Sequence, residues 1–335
     1  MTLQVLHLVG GTTDFYAKLS RMYAQSCLEA TSDPARYRFC LAYISPDRRW
    51  RFPASLEPGD IESAPAYSQA DALAMLAQQK IDVALPQMFC IPGMTEYRAL
   101  LEAQQIPYVG NRPEVMAATA TKAQAKAAVA AAGLAVPAGQ ILQQGDRPTL
   151  APPVIVKPND ADNSLGVSLV MEEADYSAAI AAALRHSRDV LVEQYIPLGR
   201  EVRCGLVEQG DRLIELPLQE YRLDSRQPIR TYDHKLVNTD QDTLALTPKA
   251  GKAWMVPQSD PIVAAVWPAA KQAHRALGCR HYSLFDFRID PQGRPWFIEA
   301  GLYCSFGPRS VIGWMMTAAG TSLPDFFDAM LRQAI

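Results

Sequence analysis

Two acidic residues near the C-terminal end, Asp286 and Glu299, stand at positions that could hold a metal ion. They lie in strand-like segments, 282–290 and 295–300, separated by the turn-forming residues Pro291-Gln292-Gly293-Arg294. A hairpin centred on this turn places the two acids opposite each other, with Cβ atoms about 4.5–5.5 Å apart. Carboxylates that close repel each other unless one is protonated or a cation lies between them. Because hard oxygen ligands suit magnesium, the pair predicts a magnesium site.

The hairpin alone leaves a second interpretation equally open. One acid could point to solvent, or the register could differ by one residue, and either arrangement would separate the carboxylates. The apolar neighbours Phe285, Phe287 and Ile298 should point the other way, into a core. Other parts of the sequence must therefore decide between the two interpretations.

A second region, residues 154–166, could contact phosphate. The apolar strand Val154-Ile155-Val156 ends in Lys157 and leads into a run of small and polar residues. Backbone N–H groups in such a loop can turn onto phosphate oxygens. Its glycine spacing matches neither a Walker A loop nor GxGxxG. A solvated lysine at the end of an ordinary hairpin would give the same pattern, so this region is weak evidence by itself.

Two more acids, Glu193 and Glu201, could contact a nucleotide. Leu191-Val192-Glu193 ends one predicted strand, and Gly199-Arg200-Glu201 begins another. A carboxylate followed by exposed backbone at a strand end can bind an adenine amino group, and a second acid nearby can bind ribose hydroxyls. Salt-bridged surface acids are the alternative for both.

The elements that must position these residues follow from the hydrophobic pattern. Strands at 3–9, 39–44, 81–86 and 106–109, alternating with helices, predict a parallel α/β sheet up to about residue 115. The alanine-rich segment 117–132 predicts one helix that ends at Gly133. Residues from 154 onward predict an α+β arrangement, with single strands at 201–208 and 213–219. The polar stretch 223–257 is too long for an idle connection and predicts a lid or active-site loop.

Composition narrows the class of protein. A chain of 335 residues predicts two or three packed subdomains. Its net charge of −3 gives no case for binding nucleic acid or a membrane surface. The sequence shows neither a transmembrane stretch nor a signal peptide. Six scattered cysteines without a CxxC pair favour reduced thiols and a cytoplasmic location.

Taken together, these segments resemble the ATP-grasp superfamily and, within it, the D-alanine–D-alanine ligase branch. The matching motifs are Val156-Lys157-Pro158, Ser164-Leu165-Gly166-Val167, Val192-Glu193-Gln194-Tyr195, Gly199-Arg200-Glu201, and Asp286 with Glu299. The resemblance implies an ATP-grasp fold that combines α/β and α+β parts. It implies a Rossmann-like domain at 1–116, a central ATP-grasp subdomain at 117–205, a C-terminal one at 206–335, and a homodimer.

The resemblance also implies a role for each matched residue. Lys122 and Lys157 would contact ATP phosphates, beneath a loop that contains Ser164 and Gly166. Glu193 and the backbone of Tyr195 and Ile196 would bind adenine, while Glu201 would bind the ribose. Lys235 would contact the γ-phosphate from a mobile loop, and Ser310 would bind the acceptor's carboxylate. Asp286 and Glu299 would hold Mg²⁺.

Two departures from the family pattern affect the metal and substrate side. The family's arginine two residues before the first magnesium acid is replaced by Leu284, and Arg288 or Arg309 could take over its role. The family's asparagine two residues after the second acid is replaced by Gly301, which removes one metal ligand. The N-terminal glutamate that holds the first amino acid has no clear counterpart.

The ATP side is therefore nearly complete, whereas the substrate side is altered. We expect an ADP-forming ligase that joins a carboxylate to an amine through an acyl phosphate. Its substrates would be small amino-acid-like or peptide-like molecules, in specialised peptide biosynthesis. Two alternatives stay open: a genuine D-alanine–D-alanine ligase, and an ATP-binding protein that has lost catalysis.

Overall fold

The computed structural model describes residues 2–161, 164–230, 236–239, 243–246 and 251–335. For 236–239 and 243–246 only the backbone is described. Within these ranges the chain forms three sheets flanked by helices and one separate hairpin. Lys235, the predicted γ-phosphate lysine, lies outside the described residues.

The N-terminal part is a four-stranded sheet in the order β3-β2-β1-β4. Its strands are β1 (Leu3–Gly10), β2 (Tyr37–Ile44), β3 (Trp50–Arg51) and β4 (Val83–Pro86). Its helices are α1 (Asp14–Thr31), α2 (Pro58–Ser63), α3 (Gln69–Ala77), α4 (Ile91–Met94) and α5 (Glu96–Ala103). Because β1 is parallel to both β2 and β4, the predicted parallel α/β sheet is confirmed. The short strand predicted at 106–109 is reduced to one bridge from Tyr108 to Ala84.

The predicted alanine-rich helix is two helices, α6 (Pro113–Ala120) and α7 (Lys122–Ala131). The prediction of one helix was wrong because Thr121 has an extended backbone, with φ −100° and ψ 110°. The carbonyl and side-chain oxygens of Asn159 accept from the first two N–H groups of α7, at 2.9 and 3.0 Å. These bonds satisfy the two N–H groups that have no helical acceptor because the helix is broken at Thr121. They also bring Lys122, the first residue of α7, next to the loop that follows Pro158.

The central part is an antiparallel sheet in the order β5-β8-β6-β7, covered by α8 (Tyr176–Leu184). Its strands are β5 (Gly139–Leu142), β6 (Val154–Pro158), β7 (Ser168–Val170) and β8 (Val190–Gln194). Glu193 pairs with Ile155, two residues from Lys157. The alternation of side chains along a strand therefore puts Glu193 and Lys157 on the same face.

The C-terminal part is a larger antiparallel sheet in the order β14-β11-β9-β15-β16, with β10 also paired to β9. Its strands are β9 (Arg200–Gln209), β10 (Arg212–Glu215), β11 (Gln219–Tyr221), β14 (Ala253–Met255), β15 (Tyr282–Ile289) and β16 (Pro295–Ala300). The strands β12 (Leu236–Thr239) and β13 (Thr243–Leu246) form the separate hairpin. The single strand predicted at 213–219 is split between β10 and β11, because Leu216-Pro217-Leu218 interrupts it.

The two faces of the C-terminal sheet have different surroundings. Helix α9 (Pro261–Ala276) covers one face, over a core that includes Val202, Phe285 and Phe287. Toward the end where Leu284 lies, the other face packs on α10 (Val311–Ala318), α11 (Leu323–Ala334) and residues of β1. Asp286 belongs to this second face because it alternates with the two phenylalanines.

The predicted domain boundaries fall inside elements. The division after residue 116 lies within α6, and the division after residue 205 lies within β9. The chain changes from the central to the C-terminal sheet between β8 and β9, at 195–199.

Candidate active site

The acid pair lies where β15 and β16 face each other. Asp286 is the register partner of Glu299, as predicted, and the register shifts directly after Asp286. Asp286 is only 1% exposed. On its other side, Asp286 pairs with Arg203 of β9, which pairs in turn with Gln219 of β11. The sheet thus carries a row of polar residues across four strands, with the two acids at one end.

Two arginines hold the Asp286 carboxylate. Arg203 donates from Nε to Oδ1 and from Nη2 to Oδ2, the second bond being 2.6 Å long. Arg230 donates from Nη2 to Oδ2 at 2.6 Å. Burial of Arg203 acts to lower its pKa, but the negative charge of Asp286 outweighs it and raises the pKa well above the ordinary arginine value. Arg203 therefore keeps its positive charge beside Asp286 although it is buried.

Arg230 also joins the metal acid to the predicted ribose acid. Its Nε donates to Glu201 Oε1 at 2.5 Å, and its guanidinium lies 4.0 Å from the centre of the Tyr221 ring. Arg288 approaches the other oxygen of Glu201, with Nη2 3.3 Å from Oε2. Arg288 thus lies at the Glu201 end of the site rather than at the two metal acids.

A buried trio of charges forms the opposite wall. Lys157 Nζ is 2.5 Å from Glu193 Oε1, and Lys126 Nζ is 2.8 Å from Oε2. Burial lowers the pKa of Lys126 to about 8, although Glu193 acts to raise it. Burial acts to raise the pKa of Glu193, but the two ammonium groups outweigh it and hold that pKa below the usual range. Both carboxylate oxygens of Glu193, the acid predicted to bind adenine, are thus held by lysines.

The loop after β6 completes this wall. Lys122 Nζ donates to the carbonyl oxygen of Ala161. Ser164 and Gly166 both have positive φ, at 60° and 66°. A Cβ on Gly166 would come within 2.9 Å of His186 Cδ2, so the loop turns tightly at this glycine.

One pocket between the central and C-terminal sheets collects most of the predicted residues. Those that line it are Lys122, Lys157, Ser164, Glu193, Tyr195, Ile196, Glu201, Arg288 and Glu299. Ile155, Val167 and Ile298 add apolar surface, and Ile229 and Arg230 come from the predicted active-site loop. The prediction that Ile298 points into the core was wrong, because the register shifts after Asp286 and Ile298 lines the pocket instead. The lining combines charged groups with apolar side chains, which suits a ligand that has both an anionic and an apolar part.

Four predicted residues that the structure describes lie away from the lining of this pocket, and Gly166 is one of them. Asp286 lies just behind it, in contact with Arg230. Ser310 is buried and caps α10, where its Oγ accepts from the N–H of Gly313 at 3.1 Å. Arg309 is exposed beside it. Neither Arg309 nor Ser310 lines this pocket.

Sequence reasoning missed three charged residues of the site, Lys126, Arg203 and Arg230. Lys126 follows Lys122 by four residues, one helical turn, and that spacing was an available signal. Arg203 alternates with Glu201 along β9, so both side chains share a face. Arg230 lies in an irregular loop, and no spacing rule would have found it.

The residues present fit magnesium and ATP. Among the described residues no group of three or more His, Cys, Asp or Glu side chains forms a metal cluster. Asp286 and Glu299 would therefore hold a metal together with phosphate and water oxygens, a ligand set that Mg²⁺ favours. Arg288 Nη1 is buried and has no hydrogen-bond partner in the described part of the chain, which suits an anionic or polar ligand.

The fold and this pocket define an ATP-grasp ligase. The chain belongs to the D-alanine–D-alanine ligase family, because the family model described as "D-ala D-ala ligase C-terminus" matches residues 138–332. It is 31% identical to the vancomycin B-type resistance protein VanB of Enterococcus faecalis, over 77% of this chain and 74% of that protein. It is 30% identical to a D-alanine–D-alanine ligase of Geotalea uraniireducens, over 79% of this chain and 82% of that protein.

Solved structures agree with this fold. The VanG D-Ala:D-Ser ligase from Enterococcus faecalis superposes with a TM-score of 0.82 over the whole of both chains, at 22% identity. A D-alanine–D-alanine ligase from Coxiella burnetii gives 0.79 over 99% of this chain and 94% of that one, at 20% identity. The predicted ATP-grasp fold is confirmed, and the chain is an ATP-dependent, ADP-forming ligase. No helix in the described ranges is long and apolar enough to cross a membrane.

Proposed function

We propose that this ligase joins the carboxyl group of one amino-acid-like substrate to the amine of another, with ATP bound as its magnesium complex. The observation that carries the proposal is the pocket between two sheets, which is lined by two lysines, two arginines and Glu299 and has Asp286 just behind it. These charges suit a triphosphate with a divalent cation. Asp286 and Glu299 would hold the metal, which neutralises phosphate charge when bound.

The chemistry needs an activated carboxyl group, because oxide is too poor a leaving group for an amine to displace. A carboxylate oxygen attacks the γ-phosphorus of ATP, ADP leaves, and an acyl phosphate forms. The amine then attacks the acyl carbon and expels phosphate, giving the amide and one proton. The protein's contribution is to position the reactants and to neutralise charge. Lys122, Lys157 and Lys235 would neutralise the phosphates, while Glu193 holds Lys157 in place.

The lining of the pocket supports the nucleotide assignments. Glu201, between two arginines, would accept from the ribose hydroxyls. Tyr195 and Ile196 would offer backbone groups to adenine, with Ile155 and Val167 against its ring. Ser164 and Gly166 would belong to the loop over the phosphates. Removal of divalent cations with EDTA should abolish ADP formation, and added Mg²⁺ should restore it.

We infer that the substrates differ from two D-alanines. Leu284 is buried in the same core as Met315, so this position supplies no charge to the substrate side. Ser310 would bind the acceptor's carboxylate, and Arg309 beside it would stabilise the reacting oxyanion, because Arg288 lies at the Glu201 end of the site. Such changes favour an enzyme of specialised peptide biosynthesis. The relatives support D-alanine–D-alanine ligase activity equally well, so that activity is the second candidate.

One assay separates the candidates. The purified chain is given ATP, Mg²⁺ and pairs drawn from a panel of D- and L-amino acids, and ADP and amide product are measured. An amide formed from a pair other than two D-alanines supports our proposal. Turnover with D-alanine alone would favour the second candidate. ATP binding with no ADP formed on any pair would identify a protein that has lost catalysis.

We also infer a cytoplasmic homodimer. All six cysteines are free thiols, which suits a reducing compartment. The dimer is implied by the resemblance to the family. Light scattering coupled to size-exclusion chromatography would measure it, and a mass of about one chain would contradict it.

A further inference from the structure

Three arginines of the site contact two acids, Glu201 and Asp286. Two arginines would be enough to give each acid one positively charged partner. Glu201 contacts Arg230 through one oxygen and Arg288 through the other. Asp286 contacts both Arg203 and Arg230. Each acid therefore keeps an arginine partner of its own if Arg230 turns away, and neither becomes an uncompensated buried charge.

Arg230 is held in the pocket by contacts that do not depend on these acids. Its guanidinium stacks on Tyr221, whose backbone is fixed in β11. The loop before it is anchored by Arg288, which donates to the carbonyl oxygen of Pro228 at 2.8 Å. The Asp224 carboxylate closes a turn in the same loop by accepting from the N–H groups of Arg226 and Gln227. The guanidinium thus stays in the pocket when its hydrogen-bond partners change.

The location of Arg230 indicates which ligand it would meet. It spans the space from Glu201 to Asp286, and it lines the pocket. If Glu201 binds the ribose and Asp286 the metal, the phosphate chain of the nucleotide must run between them. Guanidinium donors match phosphate oxygens in a bidentate geometry, and such charge-assisted bonds are among the stronger ones in proteins.

We propose that Arg230 binds the phosphate chain of the nucleotide, exchanging its bonds to Glu201 and Asp286 for bonds to phosphate oxygens. The proposal rests on the proposed function, because it takes ATP as the ligand of the pocket. Without nucleotide, the same guanidinium neutralises the two acids. Arg288 and Arg203 keep Glu201 and Asp286 paired after the exchange.

The test measures binding of ADP with magnesium chloride by isothermal titration calorimetry. It compares the wild type with Arg230→Gln, which keeps a polar side chain but removes the charge. We expect Arg230→Gln to weaken ADP binding about 10- to 100-fold, as for the loss of a hydrogen bond to a charged group. Arg226→Gln is the matched control, because the Arg226 side chain belongs to the same loop and is 91% exposed. It should bind ADP as the wild type does.

The outcomes separate this inference from the proposed function. No ADP binding by the wild type would remove the proposed function itself. Wild-type binding with equal or tighter binding by Arg230→Gln would overturn only the role of Arg230, and tighter binding would show that it merely blocks the pocket. Arg230→Lys should fall between the two, because a lysine keeps the charge but loses the planar fork. Thermal unfolding without nucleotide checks that each variant is folded.

Discussion

Arg203 and Asp286 face each other across β9 and β15, and the guanidinium engages both oxygens of the carboxylate. This bidentate pair fixes the orientation of the acid that would hold the metal. Arg203 also places a cation beside Asp286 from the neighbouring strand. On the strand of Asp286 itself, Leu284 stands where the family has its arginine. The sequence predicts that cation at Arg288 or Arg309 instead.

Replacing Arg203 should therefore disturb the metal more than the nucleotide. Arg203→Gln removes the bidentate partner of Asp286 and lets the carboxylate rotate. We expect the turnover number for ADP formation to fall at least about 10-fold and half-saturation to need more Mg²⁺. The KM for ATP should change less. Arg212→Gln, an exposed position on the adjoining β10, is the control. Unchanged turnover and unchanged Mg²⁺ dependence in Arg203→Gln would rule out this role.

Glu299 should be indispensable. Glu299→Gln preserves the shape of the side chain but removes the charge that a metal ligand needs, so ADP formation should be abolished within detection. Lys157→Ala should have the same effect through the loss of phosphate neutralisation. Both variants are assayed with the substrate pair that the panel identifies. Substantial acceptor-dependent turnover in Glu299→Gln would sink the assignment of the acid pair.

The fold and the acid pair followed from the sequence because they depend on local patterns. The turn at 291–294 set the register that places Asp286 opposite Glu299, and alternation of apolar residues put Phe285 and Phe287 in the core. The break at Thr121 did not follow, because alanine and lysine favour helix throughout that segment. Only the bonds from Asn159, far along the chain, make the interruption favourable.

The charged network of the site escaped prediction for the same reason. Arg203 is separated from Asp286 by 83 positions, and Lys126 from Glu193 by a comparable stretch. Such pairs depend on which elements become neighbours in the fold, and residue spacing in the sequence does not predict these neighbours. The motifs supplied the residues that would touch ATP, whereas the groups that hold those residues required the three-dimensional arrangement.

Gly301 should accept the asparagine that the family carries. Within the part of the chain that the structure describes, a Cβ at this position would meet only Leu284 O, at 3.9 Å, so there is room for a side chain. Gly301→Asn adds an amide oxygen near Glu299, and we expect the Mg²⁺ concentration for half-maximal ADP formation to fall. Gly301→Ala is the matched control, since it adds the Cβ without the oxygen. Equal Mg²⁺ dependence in the two variants would show that position 301 does not reach the metal.

Because Lys126 is buried, the free energy of unfolding should rise with pH. Its pKa is lowered to about 8, chiefly by burial, with Glu193 opposing and Lys157 adding to the effect. An unfolded lysine has a pKa of about 10.4, so between these values the unfolded chain binds more protons than the folded one. This group therefore raises the free energy of unfolding as pH rises through 8. Below pH 8 the folded protein bears the full cost of burying the charged lysine.

Lys126→Met removes this titration. Its free energy of unfolding, relative to the wild type, should fall by about 1–2 kcal/mol between pH 7 and 9.5, because only the wild type gains over that range. Urea unfolding at several pH values measures the difference. Lys80→Met, at an exposed lysine, should show a difference that does not change with pH. A pH-independent difference for Lys126→Met as well would mean that Lys126 keeps an ordinary lysine titration, and that Glu193 cancels the cost of its burial.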